Sequence, residues 1–226
     1  MTNSKTYRYF LFDFDGTLVD SSPSIYASLR NVERIKGLTP IPEQELFRFV
    51  GPPLSEAFVN YYHAAPEEVP ELLRTYRADY QANTAPLTTV YPGVPELLKY
   101  IKENGCMVGV ATLKNHAAAE RTLRDLGLLQ YVDGLTALVD GVKITKCELI
   151  EQCLALLGNP PRDQAIFFGD SRYDGVGAME AGMDFVALTY GFGFLEPGSL
   201  EGIPTVFCAA QPKDLGEFVK NSLQAE

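Results

Sequence analysis

Tyr9-Phe10-Leu11-Phe12-Asp13-Phe14-Asp15-Gly16-Thr17 is the stretch on which the fold turns. Four apolar or aromatic residues run straight into an acid, then a second acid two places on, then a glycine. A short apolar run closed by turn formers reads as a buried strand. Two acids at i and i+2 at a strand end can aim at one site. Asp and Gly are also common turn formers after strands, so the pair takes its meaning from what the rest of the chain brings to it.

Downstream comes a long helical stretch. Ser22-Pro23 is a start signal, with Ser as N-cap and Pro at the first helical position. Ile25, Leu29, Val32 and Ile35 recur at helical spacing, and Gly37 ends the run. Pro42 opens a short helix carrying Leu46, Phe47 and Val50, which Gly51-Pro52-Pro53 breaks. Further helices fit 54–62 and 67–82, and no strand signal falls between 20 and 86. From 92 onward helices and strands alternate. Helices fit 93–104, 115–126, 147–157, 172–181 and 212–223. Strands fit Met107–Ala111, Leu135–Val139, Ala165–Phe168, Phe185–Leu188 and Thr205–Cys208. Such alternation means βαβ units and a parallel sheet covered on both faces. The expected fold is α/β, with a Rossmann-like parallel-sheet core from 1–18 and 87–226. An all-helical segment, 19–86, is inserted directly after the first strand.

The chain has 226 residues, 46% hydrophobic and 21% charged, which is globular composition with enough apolar material for a core. Nineteen basic against 29 acidic residues give a net charge of −10. That balance argues against nucleic acid or an anionic membrane as partner. A phosphorylated small molecule answers to the local field of a pocket and is not excluded, but an acidic protein needs a cation to handle it. Cys106, Cys147, Cys153 and Cys208 form no C-x-x-C pair, and His63 and His116 are the only histidines, so no zinc set is present. Three of the cysteines lie in apolar-patterned segments and are expected as buried thiols. Residues 1–7 lack the apolar core of a signal peptide. No apolar run approaches the roughly 18 residues of a membrane span. The expectation is a soluble cytoplasmic protein, a monomer or small homo-oligomer.

Ligands of open α/β sheets bind off the carboxyl ends of the strands. Asp13 and Asp15 follow the first strand, and Thr112-Leu113-Lys114-Asn115 follows the second. Gly169-Asp170-Ser171-Arg172-Tyr173-Asp174 follows the strand at 165–168. Four aspartates gathered on one edge repel one another and call for a cation. Hard oxygen ligands with few protein contacts suit Mg²⁺. Thr112, between a strand and a helix, offers a hydroxyl and backbone N–H groups to an anion, or is a plain helix cap. Lys146 is preferred over Lys114 and Lys143 as the phosphate lysine, because its helix should start near the strand edge.

Asp13-Phe14-Asp15-Gly16-Thr17-Leu18-Val19-Asp20-Ser21 resembles the first motif of the haloacid-dehalogenase superfamily. Thr112 matches the second motif, Lys146 the third, and Gly169-Asp170 through Asp174 the acidic fourth. Phe49-Val50-Gly51-Pro52-Pro53-Leu54 and Tyr190-Gly191-Phe192-Gly193 are most similar to the phosphoglycolate-phosphatase-like branch. The resemblance implies a core with a helical cap at 19–86. It implies a Mg²⁺-dependent phosphatase that hydrolyses a small phosphomonoester through an aspartyl-phosphate. Phosphoglycolate, a nucleotide and a sugar phosphate all qualify as substrate. Asp13 would be the nucleophile and Asp15 the general acid and base, with its protonation favoured by the negative charge on Asp13. Asp13, the Asp15 carbonyl and Asp170 would hold the metal. Thr112, the Leu113 N–H and Lys146 would hold phosphoryl oxygens, although Leu113 is bulky where a small residue is common. Asp174 would orient metal-bound water or Lys146.

Gly51 and Pro52 are the candidate cap contacts, on a loop that a plain helix-breaking turn explains equally well. Arg48 and His63 read as surface or packing residues. Tyr61, Tyr62, Leu72, Leu73, Tyr76 and Tyr80 read as cap core. An acid at position 15 separates the chain from true dehalogenases, because a halide leaves without a proton. Two alternatives stay open: a β-phosphoglucomutase-like phosphomutase with the same catalytic set, and a non-catalytic phosphometabolite-binding protein of this fold.

Overall fold

In the computed structural model, which describes residues 5–139, 141–194 and 198–224, the first strand takes the centre of the sheet. β1 (Tyr9–Phe12) lies between β4 (Met107–Asn115) and β6 (Ala165–Gly169). The full order is β5-β4-β1-β6-β7-β8, with β5 (Gly134–Leu138), β7 (Asp184–Leu188) and β8 (Phe207–Ala209). Every pairing in it is parallel. Phe12 stands opposite Val110 on one side and Phe168 on the other. Chain order therefore reverses across β1, which opens a crevice beyond its carboxyl end.

Alternate residues feed two apolar layers. On one face Phe10, Phe12, Val108 and Phe168 pack with residues of α4 (Val94–Glu103) and α8 (Pro212–Gln224). On the other, Leu11, Phe167 and Phe185 pack with residues of α6 (Lys146–Leu156) and α7 (Arg172–Glu180). The Phe12 and Phe168 rings stack with centroids 4.7 Å apart. Each such buried side chain contributes about 1.5–3 kcal/mol relative to exposure. This is the layered α/β core that the alternating pattern predicts.

The helical insertion has a core of its own, built on Ile25, Leu29, Phe49, Phe58, Leu72 and Tyr76. Its helices are α1 (Ser22–Lys36), α2 (Leu54–Tyr62) and α3 (Val69–Asp79). A short antiparallel ribbon joins it to the sheet: β2 (Val19–Asp20) pairs with β3 (Thr89–Val90). Residues 43–49 form a 3₁₀ helix, and the helix expected over 67–82 stops at Asp79 and continues as a π-turn, Tyr80–Thr84.

Several boundaries differ from expectation. Ser22 is the first helical residue, not the cap; the Asp20 carboxylate accepts its N–H at 3.0 Å and its hydroxyl at 2.6 Å. β4 runs on to Asn115, with a register shift between Thr112 and Asn115. The cap of α5 (His116–Asp125) is therefore Asn115, and Thr112 stays in the strand. The last strand begins at Phe207, so Thr205 lies outside it. Cys106 and Cys153 are buried, Cys147 is half-buried and Cys208 is exposed, and all four are free. Among the described residues no helix is long and apolar enough to cross a membrane.

Candidate active site

Asp13 extends β1 by one residue, its N–H donating to the Phe168 carbonyl at 2.8 Å. Its carboxylate is buried and accepts from Lys146 Nζ at 2.5 Å. The same ammonium lies 2.8 Å from Asp174 Oδ1 and donates to the Ala111 carbonyl at 2.9 Å. Lys146 thus donates two hydrogen bonds and is ion-paired to Asp174, whose Oδ1 has no hydrogen-bond partner. Lys146 is fixed at the first turn of α6, where Thr145 and Glu148 form a reciprocal capping box. Helix α7 presses on it through Gly177, where a Cβ would stand 2.6 Å from Lys146 Cγ. Burial disfavours charge on Lys146, but Asp13 and Asp174 more than offset it and keep the ammonium protonated.

Asp170 follows β6 and is also buried. Its Oδ2 accepts the Phe192 N–H at 2.7 Å, while its Oδ1 has no hydrogen-bond partner. Gly16 and Gly191 enclose it so closely that a Cβ would come within 2.2 Å and 2.3 Å of its side chain. Asp174 is aimed by its own helix start: Oδ2 accepts the Ser171 N–H at 2.9 Å and the Ser171 hydroxyl at 2.6 Å. Asp13, Asp170 and Asp174 each offer an oxygen within 4.8 Å of one another.

Three buried carboxylates face one ammonium, so negative charge is in excess. Burial raises the Asp13 carboxyl from 3.8 to about 7; Lys146 opposes the shift, and Asp174 and Asp15 add to it. Asp170 is raised too, by burial first and then by Asp174 and Asp13, against the Phe192 and Gly193 N–H groups. An unpartnered oxygen in an all-oxygen cluster with uncompensated charge fits a hard divalent cation.

Asp15 points the other way, towards the helical insertion. Lys114 Nζ lies 3.0 Å from its Oδ1 and 3.3 Å from its Oδ2. Both side chains are nearly buried, at 8% and 9% exposure, which makes this an internal ion pair. Burial works against charge on Lys114, yet Asp15 overcomes it and raises the lysine. In the sequence, the negative Asp13 is the neighbour expected for Asp15, and Lys114 stands only as a rival to Lys146 for the phosphate. The sequence pattern ends this strand at Ala111, so no spacing in it points to the pair; β4 reaches Lys114 only through its pairing with β5. Thr112 Oγ1 accepts the Lys114 N–H at 3.1 Å, and both Thr112 and Leu113 are buried. Lys143, the third lysine considered, is exposed.

A cavity of about 90 Å³ separates the insertion from the sheet edge, lined by Asp15, Lys114, Asn115, Arg77, Gly51 and Pro52 among others. The structure thus brings the Gly51-Pro52 turn to the same space as Asp15. Gly51 holds φ at +102°, a conformation that favours glycine. Arg48 lines a separate groove, ion-paired to Glu45 at 3.8 Å and lying over the Phe47 and Tyr61 rings. His63 ends α2 at φ 53° and is exposed. Neither lines the cavity beside Asp15.

This sheet order and this acidic edge define a class. Residues 10–188 match the haloacid dehalogenase-like hydrolase family, and the chain belongs to it. It is 33% identical over 185 residues to the tyrosine-protein kinase PtkA of Mycobacterium tuberculosis, covering 81% of this chain and 62% of that one. It is 30% identical to a phosphoglycolate phosphatase of Rhodobacter capsulatus, covering 80% and 84%. The crystal structure of a predicted phosphatase from Clostridium acetobutylicum superimposes with a TM-score of 0.87 at 30% identity, covering 95% and 99%.

Proposed function

We propose that this chain is a Mg²⁺-dependent phosphatase that hydrolyses a small phosphomonoester through an aspartyl-phosphate on Asp13. The observation that carries this reading is the convergence of Asp13, Asp170 and Asp174 within 4.8 Å beside Lys146. The likeness to the Rhodobacter phosphoglycolate phosphatase supports it. Asp13, Asp170 and the Asp15 backbone carbonyl would hold the ion. When bound, Mg²⁺ supplies positive charge that lessens repulsion between a carboxylate and a phosphate.

The protein groups then divide the work. The Asp13 carboxylate attacks phosphorus, and the leaving alkoxide takes a proton from Asp15, which enters this step protonated on one oxygen while Lys114 donates to the other. In the second half Asp15 takes a proton from water, the water attacks the aspartyl-phosphate, and phosphate leaves with Asp13 restored. Thr112 Oγ and the Leu113 N–H hold phosphoryl oxygens. Lys146 aims Asp13 and donates to the transferring group. Asp174 anchors Lys146. The helical insertion acts as a cap that excludes water, with Gly51 and Pro52 closing over the leaving group. The cavity beside Asp15, lined by Arg77, Lys114, Gly51 and Pro52 among others, is where the leaving group would lie.

The test is phosphate release from a panel of phosphoglycolate, nucleotides and sugar phosphates, with Mg²⁺ and with EDTA. Release with Mg²⁺ and none with EDTA is expected. Interconversion of sugar-phosphate isomers without release would mark a phosphomutase, and binding without turnover a non-catalytic protein. Asp15→Asn should lower rates on alkyl phosphates by about 10²–10⁴-fold. It should spare phosphorylation of Asp13 by acetyl phosphate, whose leaving carboxylate needs no proton, while slowing hydrolysis of the aspartyl-phosphate formed from either substrate. Equal losses in the two single-turnover phosphorylation rates would overturn the general-acid role.

A further inference from the structure

We propose that Tyr190 is a positioning residue for the metal site: its hydroxyl ties together the two loops that clamp Asp170, and so sets the preference of the site for Mg²⁺ over a larger divalent cation. The inference rests on the reading of Asp170 as a metal ligand. Asp170 sits between two turns. One follows β1, where a Cβ at Gly16 would stand 2.2 Å from Asp170 Oδ2. The other follows β7, where a Cβ at Gly191 would stand 2.3 Å from Asp170 Cβ and 2.4 Å from Oδ2. The Phe192 N–H holds the same oxygen at 2.7 Å. Both walls and the N–H thus bear on Oδ2, while Oδ1 has no hydrogen-bond partner.

Tyr190 joins the two walls. Its hydroxyl donates at 2.8 Å to the carbonyl of Thr17, 173 residues away and next to Gly16, while its own backbone leads straight into Gly191. The Tyr91 ring meets the Tyr190 ring edge-on, with centroids 5.0 Å apart and planes at 75°, which orients the hydroxyl. Beyond Gly191, the Phe192 ring packs against the core of the insertion and anchors the far end of the loop. At the near end the Gly191 N–H reaches the Leu188 carbonyl at a long 3.4 Å, so the Tyr190 hydroxyl is the tighter hold. The rigidity this supplies matters to the ion. Mg²⁺ requires near-octahedral oxygens at about 2.0–2.1 Å, whereas Ca²⁺ accepts oxygens at about 2.3–2.6 Å in flexible arrangements. A carboxylate held to one position suits the stricter ion, and a carboxylate free to shift costs Mg²⁺ more than Ca²⁺.

The experiment titrates the metal-free wild type, Tyr190→Phe, Tyr91→Leu, Tyr62→Phe and Asp170→Asn with Mg²⁺ and with Ca²⁺ in a calorimeter, and takes the ratio of the two dissociation constants. Tyr190→Phe keeps the ring and loses the tie. It should weaken Mg²⁺ binding about fivefold, the worth of one ordinary hydrogen bond, and Ca²⁺ binding less than about twofold. Tyr91→Leu keeps the hydroxyl but loses the ring that orients it, and should shift the ratio in the same direction. Tyr62→Phe breaks a tyrosine bond of the same length, 2.8 Å to Glu33 inside the insertion, and should leave the ratio at the wild-type value. An unchanged ratio in Tyr190→Phe, equal losses for the two ions, or an equal shift in Tyr62→Phe would overturn the inference. Should Tyr190→Phe fold poorly, the ratio in Tyr91→Leu decides. Mg²⁺ binding unaltered by Asp170→Asn would strike the metal-site reading itself. Loss of Mg²⁺ binding in Asp170→Asn with an unchanged ratio in Tyr190→Phe would leave that reading standing and remove only this inference.

Discussion

Lys146 donates to Asp13 across 2.5 Å from a helix start that lies 133 residues further along the chain. The contact closes the site from opposite ends of the sequence. It sets an ammonium, itself shared with Asp174, between two acids that would otherwise repel. A lysine of this kind is part of the fold and part of the chemistry together.

Lys146→Met keeps the bulk and removes the charge. Breaking a buried pair by deleting one partner costs about 3–5 kcal/mol, because the remaining charge is left uncompensated. The metal-free variant should melt well below the wild type. Added Mg²⁺ should recover part of the difference, since the ion supplies the missing positive charge. A melting temperature equal to the wild type in EDTA would contradict the description of this pair.

Asp170 owes its position to glycines on two loops. A methyl group at Gly191 would come 2.3 Å from Asp170 Cβ, so Gly191→Ala must displace the carboxylate. The Mg²⁺ concentration for half-maximal activity should rise at least tenfold. Gly216→Ala on α8 meets nothing within 4 Å and should leave it unchanged. A Gly191→Ala enzyme with wild-type Mg²⁺ dependence would show that Asp170 is not a metal ligand.

Stability should depend on pH in a sense opposite to that of most carboxylates. Asp13 is raised from 3.8 to about 7 by burial, with Lys146 opposing, and Asp170 is raised by burial as well. A raised acid binds a proton in the folded chain at pH values where the unfolded chain has lost it, so stability falls as pH rises through that window. Metal-free protein should melt higher at about pH 5 than at about pH 8. The increment from Mg²⁺ should be larger at about pH 8. Thermal melts at both values, with EDTA and with Mg²⁺, check this; a Mg²⁺ increment equal at the two values would contradict it.

Much of this site is legible in the sequence because its parts sit at strand ends. Asp13 with Asp15, and Asp170 with Asp174 four residues on, come after apolar runs, and the α/β alternation places those run ends on one edge. The alternation likewise shows the sheet and the inserted helices. The β2–β3 ribbon is not legible, since two residues have no periodicity and Val19 finds Val90 only through tertiary contact. The extension of β4 past Ala111 follows from pairing with β5, a long-range effect. Lys114 was readable as a lysine near the site. Its grip on Asp15 was not, because the burial that makes the pair strong comes from Tyr80 and Phe14, whose rings lie 4.8 Å and 5.8 Å from Nζ. Tyr80 itself showed as part of a helical stripe, where nothing distinguishes a core ring from one that covers a cation.

The claim that Asp13 takes the phosphoryl group is tested most directly by chemical trapping during turnover. Borohydride reduces an acyl phosphate, so protein quenched with it in the presence of phosphomonoester and Mg²⁺ should carry homoserine at position 13 in its peptide mass spectrum. The conversion should vanish without substrate, with EDTA, and in Asp13→Asn. Steady phosphate release with unmodified Asp13 in the quenched protein, or wild-type release by Asp13→Asn, would contradict the account.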